Sequence, residues 1–383
     1  MIEPPHIHTD TDVAIIGAGV AGCTAALALS PKYRVTLIDK SATPQARIGE
    51  CLPPATRRIL KRLNLLSLME CSQHSHSECT GIKSYWGSAQ PQYVDHLCNP
   101  DGNGWHLDRQ KFEVDLRQAA LQRGVSSIWP AKILTSKYTD KHWLISAQAI
   151  DTLRSGRKHQ IRAKFVIDAS GRQSVFAKRQ GAQKQAFDKL VACWATFAST
   201  NDTSMGVISA TDSGWWYCAP LPNNERVISL LTDSDLINTT LSKDPVFFSQ
   251  QASSNRVIAD QLPKQCNDIA LQGVVAANST RLDQVAGKQW AALGDAAISF
   301  DPLSSQGMFN AMASAMQLSK LLEKLQIIEH PSNEKSLQLK SIYSAQIDNV
   351  WKQYLAHKKL YYRQEQRWRN APFWARRHSP SLN

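Results

Sequence analysis

The sequence lacks the patterns that mark several common protein classes. Its eight cysteines are scattered, with no C-x-x-C pair and no cysteine–histidine cluster at the spacing of a zinc site. The residues before the first apolar stretch include Glu3, Asp10 and Asp12 rather than the basic residues that begin a secretory signal. These absences favour a protein of the reducing cytoplasm and lead us to expect no structural metal.

Long hydrophobic runs and repeats are also missing. Residues 13–30 are mostly small or apolar, but glycines interrupt them, so a membrane span is not expected there. No internal repeat or low-complexity tract is visible. A chain of 383 residues that is 43% hydrophobic can instead bury a large core, which predicts two closely packed domains of a soluble protein.

Acidic residues are fewer than basic ones, with 32 Asp and Glu against 44 Lys and Arg, and the formal charge is +12. Residues 352–377 contain eight Lys or Arg against one Glu, interleaved with aromatic residues. One interpretation is an amphipathic terminal helix whose aromatic residues pack inward while the basic side chains stay solvated. The others are a docking surface for an acidic protein partner or for a single-stranded nucleic acid. No nucleic-acid module is visible elsewhere, so we expect no nucleic-acid partner.

Residues 12–40 form the most informative stretch of the chain. A buried strand leads into a turn with the pattern G-x-G-x-x-G, followed by a helix and a second strand. In such a unit Gly17 makes the tight turn, Gly19 lets the backbone approach a pyrophosphate, and Gly22 brings helix and strand together. The stretch therefore predicts a dinucleotide-binding βαβ unit, with phosphates at the helix N-terminus.

Further polar residues follow the second strand. Asp39 stands at its tip, where a carboxylate can accept hydrogen bonds from a ribose, and Lys40 is beside it. The loop of residues 41–54 carries Arg47 and Glu50 and ends in two prolines. We expect this loop to lie near the nucleotide.

The pattern changes in residues 187–275, where short strands alternate with turn residues. Together with residues 81–105 they predict a second, substrate-binding domain on a mostly antiparallel sheet, including a helix near residues 245–261. Residues 1–80, 106–186 and 276–330 are assigned to the nucleotide domain. Residues 331–383 are predicted to form a C-terminal helical region, with a long helix over about residues 334–368.

Four separated motifs resemble those of FAD-dependent monooxygenases of the aromatic hydroxylase type and of the related flavin-dependent tryptophan halogenases. The resemblance implies an α/β fold, with a Rossmann-like FAD-binding domain, and extends over nearly 300 residues. The motifs are the G-x-G-x-x-G with Asp39, the pair Asp108-Arg109, Asp168-Ala-Ser-Gly171, and Gly294-Asp295 followed by Asp301-Pro302 and Gln306-Gly307.

The resemblance assigns roles along the FAD. Gly294 and Asp295 would hold the ribityl chain and the pyrophosphate, and Arg109 would contact the phosphates or the ribityl chain. Glu50 matches a Gly-Glu that halogenases place near the adenosine and flavin end. Asp168 is interpreted as a residue that shapes the sheet.

The flavin ring is expected near a later loop. Gln306, Gly307 and Met308 would begin a helix aimed at the negative charge of the reduced ring. Pro302 would line the reactive edge. Because there is no second glycine-rich βαβ unit, electrons would come from transient NAD(P)H, a partner reductase or the substrate, with O2 as co-substrate.

Two features bear on halogenation. Halogenases carry Gly-Trp-x-Trp-x-Ile-Pro, whereas residues 214–220 are Gly-Trp-Trp-Tyr-Cys-Ala-Pro. Halogenases also need a lysine shortly before an Asn-Trp. If Trp86 matches that tryptophan, the lysine position falls near Cys79 or Thr80, and Lys83 comes about four residues late. Both departures argue against halogenation.

A closer resemblance is to the LodB- and GoxB-like flavoproteins, which mature the cysteine tryptophylquinone (CTQ) cofactor of amino-acid oxidases. They are similar in length and in the Gly-x-x-Ser-x-Trp-Gly-Ser pattern of residues 81–88. They also share the pattern Tyr-Tyr-x-x-Glu-x-Arg-Trp at 361–368 and Phe-Trp-x-Arg-Arg at 373–377.

The resemblance implies a monooxygenase that hydroxylates a tryptophan of a precursor protein through a C4a-(hydro)peroxyflavin. Lys83, Trp215 and Trp216 are candidates for the substrate side, although a solvated lysine and buried core tryptophans are the plainer interpretations. The basic C-terminal region would then dock the precursor. Two alternatives remain: a flavin hydroxylase or halogenase of a small indole or aryl compound, and a flavin-binding maturation chaperone without turnover.

Overall fold

A computed structural model describes residues 7–70, 75–150, 157–201, 203–263 and 268–379. The strands are, in chain order, β1 (Ile7–Ile16), β2 (Val35–Ile38), β3 (Cys51–Leu52), β4 (His76–Cys79), β5 (Gly81–Tyr85), β6 (Gln92–Asp95), β7 (Gly104–Leu107), β8 (Ser126–Ile128), β9 (Ala131–Thr139), β10 (His142–Ala149), β11 (Lys158–Asp168), β12 (Lys184–Ala186), β13 (Leu190–Ala198), β14 (Met205–Thr211), β15 (Gly214–Leu221), β16 (Glu225–Asp233), β17 (Ala270–Ala276), β18 (Thr280–Leu282), β19 (Ala286–Gly287), β20 (Trp290–Ala292) and β21 (Ile298–Ser299). The helices are α1 (Val20–Leu29), α2 (Thr56–Arg62), α3 (Leu66–Glu70), α4 (Arg109–Gln122), α5 (Val175–Arg179), α6 (Pro245–Ser253), α7 (Arg256–Ala259), α8 (Gly307–Leu325), α9 (Asn333–Gln364) and α10 (Pro372–His378).

The first large sheet carries the dinucleotide-binding unit. Its main order is β19-β20-β11-β1-β2-β8, and β1 pairs in parallel with both β2 and β11. Parallel strands covered on both faces are continuously apolar, which explains the fully buried Val35–Ile38. Helix α1 packs against both α4 and α8. The α/β class with a Rossmann-like sheet, predicted from the sequence, is confirmed.

The second large sheet has the order β17-β13-β16-β15-β14-β5-β6. All of its pairs are antiparallel except β14 with β5, which confirms the mostly antiparallel sheet. Side chains alternate between the two faces of β15. Trp216 and Cys218 pack into an apolar cluster with Phe248 of α6, whereas Trp215 and Tyr217 point to the opposite face. That opposite face looks towards the first sheet.

The C-terminal region is helical, as predicted. Ser332 caps α9 by accepting a hydrogen bond from the Lys335 N–H at 3.1 Å, and the helix ends at Gln364, four residues before the predicted end. Tyr362, Phe373 and Trp374 are part of a core cluster with Trp86 and Trp215, which agrees with the interpretation that the aromatic residues pack inward. The interpretation holds only in part, because Tyr361 is exposed and the basic side chains of Lys358 and Arg377 are largely buried. The most buried residues of this cluster from the C-terminal region are Tyr362, Phe373 and Trp374.

Other elements differ from the sequence predictions in detail. The helix expected at residues 245–261 is interrupted, because the Asn255 side chain caps a new helix by accepting hydrogen bonds from the N–H groups of Val257 and Ile258. The domain limits remain a prediction. Within the described residues, no helix is long and apolar enough to cross a membrane.

Candidate active site

A cavity of about 850 Å³ lies between the two large sheets. Its volume is in the upper part of the range of small-molecule and cofactor sites. It receives residues from the glycine turn, from the start of α8 and from β15 of the second sheet. The residues expected in the site that line this cavity are Gly17, Gly19, Asp39, Lys40, Arg47, Glu50, Arg109, Trp215, Asp295, Pro302, Gly307 and Met308.

The three positions of the turn require glycine for different physical reasons. Gly17 has a φ of +106°, and a Cβ there would stand 2.3 Å from the carbonyl oxygen of Ala169. A Cβ on Gly22 would stand 1.9 Å from the Gly17 oxygen. A Cβ on Gly19 would meet only a Glu113 oxygen, at 3.8 Å. Chain packing therefore requires the first two glycines, whereas Gly19 leaves open space on the cavity side.

Two helix N-termini contribute to the cavity wall. Helix α1 begins after Gly19 and α8 begins after Gln306, and neither has a side-chain cap or an acidic residue in its first turn. Gly307 and Met308 of α8 line the cavity, and a Cβ on Gly307 would meet nothing within 4 Å. Uncapped N–H groups and the positive end of the helix dipole suit anionic ligand groups.

Asp39 is tied to the protein. One carboxylate oxygen accepts a hydrogen bond from the Ala18 N–H at 2.7 Å, and the other accepts one from the Ser41 N–H at 2.8 Å. Arg117 adds an ion pair at 3.3 Å and donates to the Ala18 carbonyl at 2.9 Å. Arg117 was missed in the sequence, where it is one more basic residue of a helix; its role as a brace of the turn depends on contacts across the fold.

Two arginines share one buried carboxylate at the cavity. Arg109 Nε donates to Glu113 at 2.8 Å, and Arg47 Nη2 lies 3.2 Å from the other Glu113 oxygen. Arg109 also donates to the Gly49 carbonyl at 2.7 Å. Glu113 is only 1% exposed, and its signal in the sequence is the i,i+4 spacing from Arg109 on one helix, which sequence analysis missed. It holds both guanidinium groups at the site, where positive charge can receive phosphates.

Glu50 lies deeper and meets the second sheet. The Tyr217 hydroxyl donates to Glu50 Oε1 at 2.5 Å, and the Gly49 N–H donates to Oε2 at 3.1 Å. Burial, together with the nearby Glu50 charge, raises the pKa of Tyr217 well above its usual range, so the phenol stays protonated. Tyr217 is the residue that replaces the second tryptophan of the halogenase motif.

The turn after β20 connects the two ends of the cavity. Gly294 has a φ of +56°, and a Cβ there would be 3.0 Å from the Ala21 Cβ, so this glycine allows the turn to approach α1 without lining the cavity itself. Lys184 Nζ donates to the backbone oxygens of Asp295 at 2.8 Å and Arg172 at 2.9 Å. Burial lowers the pKa of Lys184 to about 8.

The loop predicted to face the flavin is held by Asp301. This carboxylate is 1% exposed, and its Oδ1 accepts a hydrogen bond from the Leu303 N–H at 3.0 Å, which shapes the 3₁₀ turn Pro302–Ser304. Pro302 lines the cavity, but Gln306 does not. Gln306 precedes α8 without capping it.

Two substrate-side predictions need correction. Trp216 packs against Phe248 with ring centroids 5.5 Å apart, on the face of β15 away from the cavity. Lys83 Nζ lies over the rings of Tyr85 at 5.3 Å and Tyr93 at 5.9 Å, also away from the cavity lining. For Trp216 the reason is strand alternation: consecutive side chains of β15 point to opposite faces, so Trp215 lines the cavity and Trp216 points away from it.

A parallel sheet with a glycine turn, and a cavity that reaches from it to a second helix N-terminus, define a dinucleotide-binding oxidoreductase. The chain belongs to the FAD binding domain family, whose model matches residues 10–327. It is an FAD-dependent oxidoreductase of the group that includes flavin monooxygenases and flavin-dependent halogenases. The open space at Gly19, the two uncapped helices and the Arg47–Arg109 pair fit the pyrophosphate and ring of FAD.

Similar proteins cover nearly the whole chain. The putative FAD-dependent oxidoreductase LodB of Marinomonas mediterranea is 29% identical over 96% of this chain and 97% of its own length. The solved structure of the flavin-dependent halogenase CmlS has a TM-score of 0.81 at 22% identity, covering 96% of this chain and 68% of that one. The structure of QhpG, a peptidyl tryptophan dihydroxylase essential for tryptophylquinone cofactor biogenesis, has a TM-score of 0.76 at 18% identity, covering 98% and 80%.

Proposed function

We propose that this flavoenzyme is a monooxygenase that hydroxylates a tryptophan of a precursor protein during biogenesis of a CTQ cofactor. The observation that carries the proposal is the end-to-end similarity to LodB, which includes the C-terminal region. The LodB-like family was already indicated by the patterns of residues 81–88 and 361–377. The likeness in fold to QhpG, which acts on a peptidyl tryptophan, supports the same substrate class.

In this proposal the FAD lies along the cavity. The first turn of α1 and the Arg47–Arg109 pair would hold the pyrophosphate, and the first turn of α8 would face the flavin ring. Bound FAD, once reduced by NAD(P)H or a partner reductase, supplies the activation of O2 for oxygen transfer. The chain would bind, orient and exclude water around that chemistry.

The second sheet offers an apolar wall for an indole. Ile208, Trp215 and Leu231 line the cavity on this side and would exclude water from the reacting ring. The polar groups on the same wall are the Tyr217 hydroxyl, which donates a hydrogen bond to Glu50, and Ser229 on the neighbouring strand. This arrangement suits one planar, mostly apolar side chain with few polar atoms.

The positions of the lysines argue against halogenation. In the described part of the chain, the lysines that line the cavity are Lys40 and Lys132. Lys132 follows Ala131, whose N–H donates to the Asp39 carbonyl at 2.7 Å, so both lysines belong to the nucleotide end. A halogenase would need a lysine on the substrate side, and Lys83 faces elsewhere.

The docking of the precursor is assigned to the exposed basic residues of the C-terminal region. Lys352, Lys359, Arg363 and Arg369 are exposed, and an acidic precursor surface would gain association rate from them. A truncated chain that ends before Tyr361 would lose buried aromatic residues of the core. Charge reversal of exposed residues is therefore the sharper test. R363E/R369E should keep FAD and weaken capture of the precursor, and unchanged capture would contradict the docking.

The proposed reaction is tested by co-expression with the protein encoded by the neighbouring reading frame. Intact-mass analysis should show a gain of one or two oxygen atoms on that partner. The matched control is the Gly19→Ala variant, which should fold but lose FAD. An unmodified partner in the presence of FAD-loaded wild-type enzyme, under conditions in which the flavin is reduced and O2 consumed, would overturn the proposal.

A second candidate is oxidation or halogenation of a small indole or aryl compound. It is favoured by the high TM-score to a halogenase and by a cavity large enough for both FAD and a small ring. Incubation with free tryptophan and either chloride or bromide distinguishes the two. A halide-dependent product would favour this candidate over the protein substrate.

A further inference from the structure

The long C-terminal helix reaches the loop that is predicted to face the flavin. The Tyr362 hydroxyl donates to Asp301 Oδ2 at 2.8 Å and accepts a hydrogen bond from the Trp215 indole N–H at 3.2 Å. The three side chains are at most 2% exposed. One hydroxyl therefore joins the carboxylate that shapes the Pro302 turn to a tryptophan of the cavity wall.

We propose that Tyr362 is a positioning residue of the active site, which fixes the Pro302 turn and the Trp215 indole relative to each other. The inference rests on FAD binding by the family and not on the identity of the substrate. Asp301 would act as the link, because its Oδ1 holds the turn through Leu303 while its Oδ2 is held by Tyr362.

The direction of both hydrogen bonds is determined by the groups involved. An indole N–H can only donate, and an ionised carboxylate can only accept. A hydroxyl is the kind of group that can accept from the first and donate to the second. Burial and the charge of Asp301 raise the pKa of Tyr362 well above its usual range, which keeps the proton on the phenol. The chain Trp215–Tyr362–Asp301 therefore has one hydrogen-bonding arrangement.

Two other residues of α9 contact the same loop. Tyr354 accepts a hydrogen bond from the Asp301 N–H at 2.9 Å, and Lys358 Nζ lies 3.6 Å from Asp301 Oδ2. Tyr354, Lys358 and Tyr362 are spaced by four residues, so they form one face of the helix over two turns. Through this face, α9 holds the loop that contains Asp301 in addition to packing on the core.

Lys358 also anchors α9 to residues next to two strands of the second large sheet. Its ammonium group donates to Asp188 Oδ2 at 2.5 Å and to Ser279 Oγ at 2.7 Å. Burial opposes the charge of Lys358, but Asp301, Tyr354 and Asp188 together raise its pKa above the usual value. The contact with Asp301 is therefore part of a charged, buried network that holds the face of α9 in place.

The test compares Tyr362→Phe with Tyr361→Phe. The first variant removes only the bridging hydroxyl and keeps the ring in its aromatic cluster, while the Tyr361 side chain is 54% exposed and serves as the matched control. We expect Tyr362→Phe to weaken FAD binding about tenfold and to change the visible absorption band of the bound flavin. Tyr361→Phe should do neither.

If Tyr362 only stabilised the fold, a different result would be expected. In that case Tyr362→Phe would lower the stability of the apoprotein but leave the FAD dissociation constant and the flavin spectrum at their wild-type values, and that result would overturn the proposal. If Tyr362→Phe does not fold, Trp215→Phe tests the other hydrogen bond. It should also shift the flavin band, and an unchanged band in this folded variant would contradict the inference.

A double-mutant cycle tests the link through Asp301. In an Asp301→Ala background, which removes the acceptor, Tyr362→Phe should change the FAD dissociation constant by less than twofold, because both changes act through one contact. Equal tenfold effects with and without Asp301→Ala would show that Tyr362 acts independently of the loop. The readout is FAD binding, so it does not depend on whether the protein substrate has been identified correctly.

Discussion

The two ends of the cavity are built in different ways. The nucleotide end is centred on one continuous βαβ unit, in which glycines let backbone segments approach closely and Asp39 accepts a hydrogen bond from the Ala18 N–H of the turn. Arg117 of α4 braces this unit through an ion pair with Asp39. The flavin-loop end is assembled from side chains of distant segments, with Asp301 held by Tyr354 and Tyr362 of the C-terminal helix. Ion pairs contribute at both ends, but close backbone packing at glycines is a requirement of the nucleotide end, whereas the flavin-loop end depends on buried polar side chains from a distant helix.

The largest expected effect is a loss of stability on substituting a closely packed glycine at the nucleotide end. Gly22→Ala would place a Cβ 1.9 Å from the Gly17 oxygen, so the backbone must move, and we expect a loss of about 4 kcal/mol or more in the free energy of unfolding. Gly19→Ala has open space and should change apoprotein stability by less than about 0.5 kcal/mol.

The same pair separates folding from cofactor binding. Gly19→Ala should lower FAD affinity at least about tenfold, because its methyl group would occupy space needed by the pyrophosphate. Chemical denaturation of the apoproteins and FAD titration measure the two quantities. Equal stability losses in both variants would contradict the distinction drawn between these glycines.

The next effect concerns the buried charges at the flavin-loop end. Lys358→Met would leave Asp188 and Asp301 without their cation, and we expect a loss of about 3 kcal/mol in the free energy of unfolding. The neighbouring Lys359 is exposed, so Lys359→Met is the control and should remain within about 0.5 kcal/mol of wild type. A similar small change in both would show that this network does not support the loop.

A pH effect is expected at the turn that joins the two ends. The pKa of Lys184 is about 8 in the folded protein and 10.5 ordinarily, so between these values the unfolded chain binds the extra proton. This lysine therefore makes stability rise with pH in that window, by roughly 1 kcal/mol per pH unit. Denaturation at several pH values should show a shallower rise for Lys184→Met, and parallel curves would contradict this assignment.

The smallest effect is expected outside the cavity. Lys83→Ala should leave FAD affinity and oxygenation within about twofold of wild type, since Lys83 lies over the rings of Tyr85 and Tyr93 rather than in the cavity. Assays of FAD binding and product formation test this. A large loss of product with FAD binding intact would return Lys83 to the substrate side and strengthen the halogenase-like alternative.

Much of the nucleotide end was predictable because its signals are local. The G-x-G-x-x-G pattern and the flanking apolar strands predicted a dinucleotide-binding unit, and the family resemblance carried by the later Gly294-Asp295 implied FAD. The sequence also predicted two sheets and a helical C-terminal region. Motif spacing and hydrophobic periodicity are sufficient for such features.

The remaining parts depend on contacts that sequence spacing does not define. Arg117 pairs with Asp39 and Glu113 pairs with Arg47 across the fold, and Tyr362 reaches Asp301 across 61 positions of the chain. Trp215 and Trp216 were both candidates for the substrate side, but neighbouring residues of a strand point to opposite faces, and the sequence does not show which face of β15 lines the cavity. Periodicity also could not show that Asn255 starts a new helix.

The proposed reaction of this FAD enzyme is the transfer of oxygen from O2 to a tryptophan of another protein. The most direct measurement is tandem mass spectrometry of the co-expressed partner, formed under isotopically labelled O2. The account predicts labelled oxygen on a tryptophan ring, present with wild-type enzyme and absent with Gly19→Ala. Unlabelled oxygen at that site, or modification that is equally abundant without bound FAD, would contradict the claim.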